Sequence, residues 1–416
     1  VIPWLEQLSN ELDTLRQQHQ WRYRRPVQNQ TPPYLQVEGQ RLLAFCSNDY
    51  LGLSHHPVVI EALREGARLS GAGAGASPLV SGHHESHEEL ERELAELVGC
   101  ERALYFYAGY GANVGIIPAL VGRNDVIFSD ALNHACLIDG ARLSGAAIHR
   151  FPHRDYADLE QQLAFAFERS PSPHQHRLVI SDTVFSMDGD VADLPRLLAL
   201  CEQFDALLLL DDAHGFGVRG PQGRGSLAAV QPHQDLQEKK ANPRVLYMAT
   251  LGKAAGVAGA FVAGSDLLIE YLLQKTRSYL FATAPPPPLA YALRASLALL
   301  SAQEGEERRA QLHTLITHCQ TQLRAAIEPH HGQLLPSSTP IQAWVIGANE
   351  KAVDWMNQLA KQGIWIPAIR PPTVPIGQAR LRIALSACHT LDHLDQLGQA
   401  MNVIASYTKK SIKNRS

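Results

Sequence analysis

No apolar run in this chain approaches the ~18 residues that span a bilayer. A leader is missing too: the first 25 residues mix Glu6, Glu11 and Asp13 with arginines where a secretory signal would carry an apolar core. We therefore expect a cytoplasmic protein that stays where it is made, with no membrane partner. Cysteine is scarce and scattered. The six, at 46, 100, 136, 201, 319 and 388, form no CxxC pair and no zinc-finger spacing, and read as reduced thiols. Charge of one sign is lacking as well: 37 basic against 41 acidic residues leave a net charge of −4, which argues against nucleic acid as a partner. The basic tail Lys409, Lys410, Lys413 and Arg415 reads as a solvated terminus. No internal repeat occurs. The glycine run at 71–75 misses the GxGxxG spacing and follows a helix-like segment, which argues against a dinucleotide. His83 and His87 stand i, i+4, yet no HExxH exists, so we read a solvated helix start and expect no metal.

What is present is the pattern of a large α/β enzyme. At 416 residues, 45% hydrophobic and 19% charged, the chain can bury more than one compact core. The expected division is an N-terminal segment (1–50), a large domain (51–300) and a small C-terminal α/β domain (301–416). From Ser47 to about Ser265, short apolar strands alternate with helical stretches, which predicts a mostly parallel sheet covered on both faces. Candidate strands are 103–107, 126–129, 178–181, 207–210, 245–249 and 260–263. Ser86 and Glu89 have capping-box spacing ahead of Leu90, Leu94 and Leu97, and Gly99 supplies a stop. Four prolines at 285–288 precede a helical pattern at 289–302. In the small domain, strands are expected at 341–346, 363–367 and 380–385, with a helix at 353–362. The polar stretch 228–244 reads as a surface loop.

The chemistry concentrates at strand ends. Asp211 closes the apolar run 207–210, and Lys253 follows the strand 245–249 in a Thr-Leu-Gly-Lys turn. A carboxylate there can keep a pyridinium nitrogen protonated while the lysine forms a Schiff base, the division of labour that pyridoxal 5′-phosphate (PLP) requires. Taken alone, the pair equally reads as a helix-capping Asp and a surface Lys. His214, three residues past Asp211, can reach the phenolic oxygen of that cofactor, and His134 can stack on its ring. Ala108-Gly109-Tyr110-Gly111 directly after a strand offers backbone N–H groups to a phosphate, and Thr250 a hydroxyl. Arg382, in a candidate strand, suits an amino acid carboxylate, or else a structural salt bridge; Arg380 is expected on the opposite face.

Five blocks make the sequence recognisable: SNDYLGLSHHP (47–57), FSMDGD (185–190), DDAHGFGVRGPQGRGS (211–226), TLGK (250–253) and IRPPTVPIGQARLR (369–382). Together they resemble the α-oxoamine synthases, fold-type I PLP enzymes that condense an amino acid with an acyl thioester and release carbon dioxide. The resemblance runs from about Trp21 to about Leu397. The stretch 369–382 is most similar to members that join L-alanine to a pimeloyl thioester. It implies Lys253 as the Schiff-base lysine, Asp211 at the pyridine nitrogen, His214 at the phenolic oxygen and His134 stacked on the ring. Ser186 and Thr250 are implied as further cofactor contacts, and Gly109 with Tyr110 as the phosphate cradle. Arg22, Asn48, Thr373 and Arg382 correspond to substrate-side positions. Thr283 matches a residue that reaches the neighbouring subunit's phosphate, which implies a homodimer with shared sites. Leu251 and Ala254 depart from the residues usual beside the lysine. A sibling synthase with other substrates and a PLP-binding protein without catalysis are the alternatives.

Overall fold

The structure is a computed structural model that describes residues 2–169, 175–230, 242–327 and 332–413. Most of the expected surface loop, 231–241, lies outside the described residues, as do the side chains of the basic tail. The chain divides into two compact units, one of residues 51–186 and 191–309, the other of residues 1–50, 187–190 and 310–416. Among the described residues no helix is long and apolar enough to cross a membrane.

The larger unit is built on seven strands: β1 (Arg102–Phe106), β2 (Val126–Asp130), β3 (Ala147–Phe151), β4 (Arg177–Asp182), β5 (Leu207–Asp211), β6 (Val245–Thr250) and β7 (Ala260–Gly264). Their spatial order is β1-β7-β6-β5-β4-β2-β3. Strands β2 to β6 run parallel, and β7 is antiparallel to both neighbours, so the expected mostly parallel sheet is found with one reversed strand. Each expected strand appears within a residue or two; β3 was not foreseen, because its exposed residues give AIHRF little apolar signal.

Continuous apolar runs such as LLLL in β5 make sense only if both faces are buried. Around the sheet lie α1 (Glu85–Val98), α2 (Gly109–Leu120), α3 (Ala135–Ser144), α4 (Tyr156–Arg169), α5 (Leu194–Gln203), α6 (Asp266–Lys275) and α7 (Pro287–Ser301). Leu178, Ile180, Leu209 and Met248 pack with Ile116 and Ile117 of α2, Leu137 of α3 and Ile269 of α6. Val179, Leu208 and Leu210 turn the other way, onto Leu159 of α4 and Leu197 and Leu200 of α5. Each such leucine contributes roughly 1.5–3 kcal/mol on burial. Helix α1 ends at Gly99 in the left-handed conformation, as expected. Its start is different: His84 N donates to His87 Nδ1 at 3.1 Å, while Ser86 is already inside the helix and its buried hydroxyl has no partner. The capping box read at Ser86 and Glu89 is therefore misplaced by two residues, the cap being His84 with His87.

The smaller unit holds two four-stranded sheets. In one, Val27–Thr31, Tyr34–Val37 and Gln40–Ala44 run antiparallel, and Ile364–Trp365 adds parallel to the last. The other orders Gln333–Leu334, Ile341–Gly347, Ala379–Ala384 and Ala368–Ile369. The strand expected at 363–367 shortens to Ile364–Trp365, and the next strand, Ala368–Ile369 in the other sheet, starts only after Pro367, which has no N–H to continue a ladder. The helix expected at 353–362 spans Asn349–Lys361.

Candidate active site

Strand periodicity places two carboxylates side by side. Asp211 follows Leu209 on the face covered by α2 and α3, and Asp182 follows Ile180 on that same face. The two are ladder partners on β4 and β5, 2% and 3% exposed. Asp211 Oδ1 accepts from Ala213 N at 3.0 Å and Oδ2 from Asn113 Nδ2 at 2.7 Å. Asn113, fully buried on α2, also donates to Cys136 Sγ at 3.1 Å. Helices α2 and α3 approach closely enough to permit this only because residue 140 is glycine: a Cβ there would lie 2.7 Å from Asn113 O.

Above this floor is a cavity of about 200 Å³ lined by Asp182, Asp211, His134, His214 and Lys253, among others. Lys253 Nζ lies 2.8 Å from His214 Nε2. His134 caps α3, its Nδ1 accepting from Cys136 N at 3.3 Å, and its own N–H donates to Asp182 Oδ2 at 2.6 Å. Burial pushes the His134 imidazole below its usual range, with the Asp211 charge opposing. Desolvation raises the Cys136 thiol, and the Asp211 charge adds to the shift, so this sulfur is an inert neighbour rather than a nucleophile. Gly109 and Tyr110 open α2 at the cavity, where the first helical bond is Ala112 N to Ala108 O at 2.9 Å; the amides before it are without intrahelical acceptors. Thr250 also lines the cavity, its hydroxyl donating to Gly259 O at 3.0 Å.

This set fits a phosphorylated pyridine aldehyde. It offers an amine, a buried carboxylate for a ring nitrogen, two imidazoles and helix-start amides for a phosphate. Two expected cofactor residues stand outside the cavity lining: Ser186 is in the turn after Val184, and Thr283 is exposed in the segment before α7. Sequence reasoning missed Asn113, Cys136 and Asp182. The strand-end rule that found Asp211 would also have found Asp182; Asn113 and Cys136 carry no such signal, since helix phase alone turns them inward.

The smaller unit gathers the other candidates. Arg382, 5% exposed on Ala379–Ala384, donates to Asn48 Oδ1 at 3.2 Å, and Tyr50 OH donates to the same oxygen at 3.2 Å. Arg380 forms an ion pair with Asp188. Two residues apart on a pleated strand, Arg380 and Arg382 share a face, which corrects the expectation that they turn apart. Arg22 Nη2 donates to Pro371 O at 3.4 Å, and Thr373 N to Arg370 O at 3.1 Å, so both lie along the 370–373 turn.

Known proteins bear the same pattern. The family model for aminotransferase class I and II matches residues 40–401. The chain is 59% identical over 402 residues to 8-amino-7-oxononanoate synthase 1 of Polaromonas sp., covering 97% of this chain and 96% of that one. It is 56% identical over 409 residues to 8-amino-7-oxononanoate synthase of Paracidovorax citrulli, covering 98% and 96%. A solved structure of SPT with a PLP internal aldimine matches with a TM-score of 0.85 at 26% identity, over 98% of both chains.

Proposed function

This chain belongs to the class I and II aminotransferase family and, within it, to the 8-amino-7-oxononanoate synthases, and from that premise we propose how its residues divide the work. The enzyme is a PLP-dependent acyltransferase of fold type I. It condenses L-alanine with a pimeloyl thioester, releasing carbon dioxide and the thiol carrier, to give 8-amino-7-oxononanoate for biotin synthesis. Bound PLP supplies the electron sink that makes the alanine Cα proton removable at neutral pH.

In our reading Lys253 would hold the cofactor through Nζ, and its amine would take the alanine Cα proton and return one. Asp211 would face the pyridine nitrogen, with Asn113 fixing its orientation. His214 serves the phenolic oxygen, His134 stacks on the ring, and Ser186 and Thr250 add contacts. The amides of Gly109 and Tyr110 cradle the phosphate. Arg382 grips the alanine carboxylate, with Asn48, Arg22 and Thr373 also on the substrate side. The segment 51–300 thus carries the cofactor residues, while 1–50 and 301–416 carry the substrate residues. Thr283, exposed on its own subunit, serves the partner's phosphate in a homodimer. Six scattered cysteines with no CxxC pair suit a reducing cytoplasm.

The observation that carries this reading is Lys253 Nζ beside His214 Nε2 in a cavity floored by Asp211. Incubation with PLP, pimeloyl-CoA and each of alanine, glycine and serine tests it by product mass. Alanine alone should give the 8-amino-7-oxononanoate mass; a product from glycine or serine at equal rate would point to a sibling synthase. Sedimentation of the holoenzyme should give twice the chain mass.

A further inference from the structure

The second carboxyl group of the cavity has no part in the division of labour above. Asp182 ends β4 as Asp211 ends β5, on the same face and in ladder register, and both line the cavity. Its Oδ2 accepts the His134 N–H at 2.6 Å, and its own N–H donates to Asn133 Oδ1 at 3.0 Å. Asn133 in turn donates to Ile180 O at 2.9 Å, so the turn that presents His134 is sewn to the end of β4 at three points. An apolar residue at 182 would sever the bond that reaches His134 itself.

Two carboxylates this close in a buried cavity do not both ionise readily. The groups facing Asp182 are Asp211 on β5, Asp130 on β2, Lys253 after β6 and the His134 N–H. Burial, then the charge of Asp211, hold the Asp182 carboxyl well above the usual carboxylate range. Asp211 accepts from Asn113 Nδ2, Ala213 N and the Cys136 thiol, where Asp182 accepts from the His134 amide. Resting on the cofactor reading above, we propose that Asp182 is a positioning residue of this site, a neutral carboxylic acid that pins His134 by its backbone and leaves the ring to Asp211.

Asp182→Asn and Asp182→Ala separate geometry from charge, because asparagine keeps an acceptor for the His134 N–H and carries no charge. The readouts are PLP affinity and the visible absorbance and circular dichroism of the bound cofactor across pH. Asp182→Asn should bind PLP within about twofold of wild type, with an unchanged pH midpoint of the visible band. Asp182→Ala should lose dichroism in that band and bind PLP about three- to tenfold more weakly, the loss of one hydrogen bond. A midpoint shifted by about one pH unit or more in Asp182→Asn means the wild-type group is ionised, and overturns the proposal even should the alanine variant not fold. Wild-type dichroism and affinity in a folded Asp182→Ala overturn the positioning role. A wild-type protein that shows no visible band with PLP overturns the cofactor reading, and this proposal with it.

Discussion

Asp211 and Asp212 leave β5 one after the other, both buried, into regions that treat a carboxylate in opposite ways. On the cavity side Asp211 accepts from Asn113 Nδ2, Ala213 N and the Cys136 thiol, and faces open volume. On the far side Asp212 accepts from Tyr247 OH at 2.6 Å, Ser226 N at 2.7 Å and Ser226 Oγ at 2.7 Å, and also from Thr183 Oγ1. Glycine makes that second shell possible. A Cβ on Gly215 would collide with Asp212 Oδ1, and one on Gly225, at φ +98°, with Tyr247 OH and Asp212 Oδ2. Two of the five glycines in DDAHGFGVRGPQGRGS, Gly215 and Gly225, therefore close a structural carboxylate nest. The difference teaches how to tell a site from scaffold: the chain completes the coordination of Asp212 itself and leaves that of Asp211 for a ligand.

The largest effect expected from breaking this contrast lies at the amine above Asp211. Among the described residues lining the cavity Lys253 is the one lysine, so Lys253→Ala should abolish both turnover and the visible band of bound PLP. A retained band would move the covalent attachment elsewhere. Next in size, Asp211→Asn should lower kcat by about two to four orders of magnitude while the urea midpoint stays near wild type, since a neutral amide cannot hold the ring nitrogen protonated. Asp212→Ala should show the reverse. Four buried donors lose their acceptor, which costs about 3 kcal/mol or more in urea unfolding, while the folded fraction keeps the visible band. If Asp212→Ala bleached the band and Asp211→Asn lost stability, the two carboxylates would exchange roles.

This contrast also marks what could be read from residues alone. Strands β4, β5 and β6 were legible because runs such as LVIS and LLLL are apolar without alternation, and Asp211 was legible because it ends one of them. Asp182 ends another, but the apolar pattern there closes at Ser181, one residue short of it. The nest around Asp212 could not be read: Thr183, Ser226 and Tyr247 come from three separate segments, and only the sheet order brings them together. Asn113 and Cys136 depend on the phase of two helices and their close approach at Gly140, which apolar periodicity does not fix when α2 is hydrophobic nearly all round. Proline punctuation was the other blind spot, for the strand expected to run to Pro367 stops at Trp365.

The smallest expected effect carries the comparison into the smaller unit, where two arginines share a strand face as the two aspartates share a strand end. Arg380 is matched by a carboxylate of the chain, Asp188, whereas Arg382 meets the Asn48 amide oxygen at 3.2 Å. If Arg382 takes the alanine carboxylate through its planar fork, Arg382→Lys keeps the charge and loses the paired geometry. Losing a charge-assisted contact of this kind costs about 1.5–3 kcal/mol, or about tenfold to a hundredfold in alanine affinity. Titrating the visible band with alanine measures that loss directly, and the dependence of rate on thioester concentration should change much less. Arg380→Lys is the control: its ion pair with Asp188 tolerates a point charge, so alanine affinity should hold within about threefold while stability falls slightly. An unchanged alanine titration in Arg382→Lys beside a large thioester defect would assign Arg382 to the acyl side, leaving Asn48 as the nearer candidate for the amino acid.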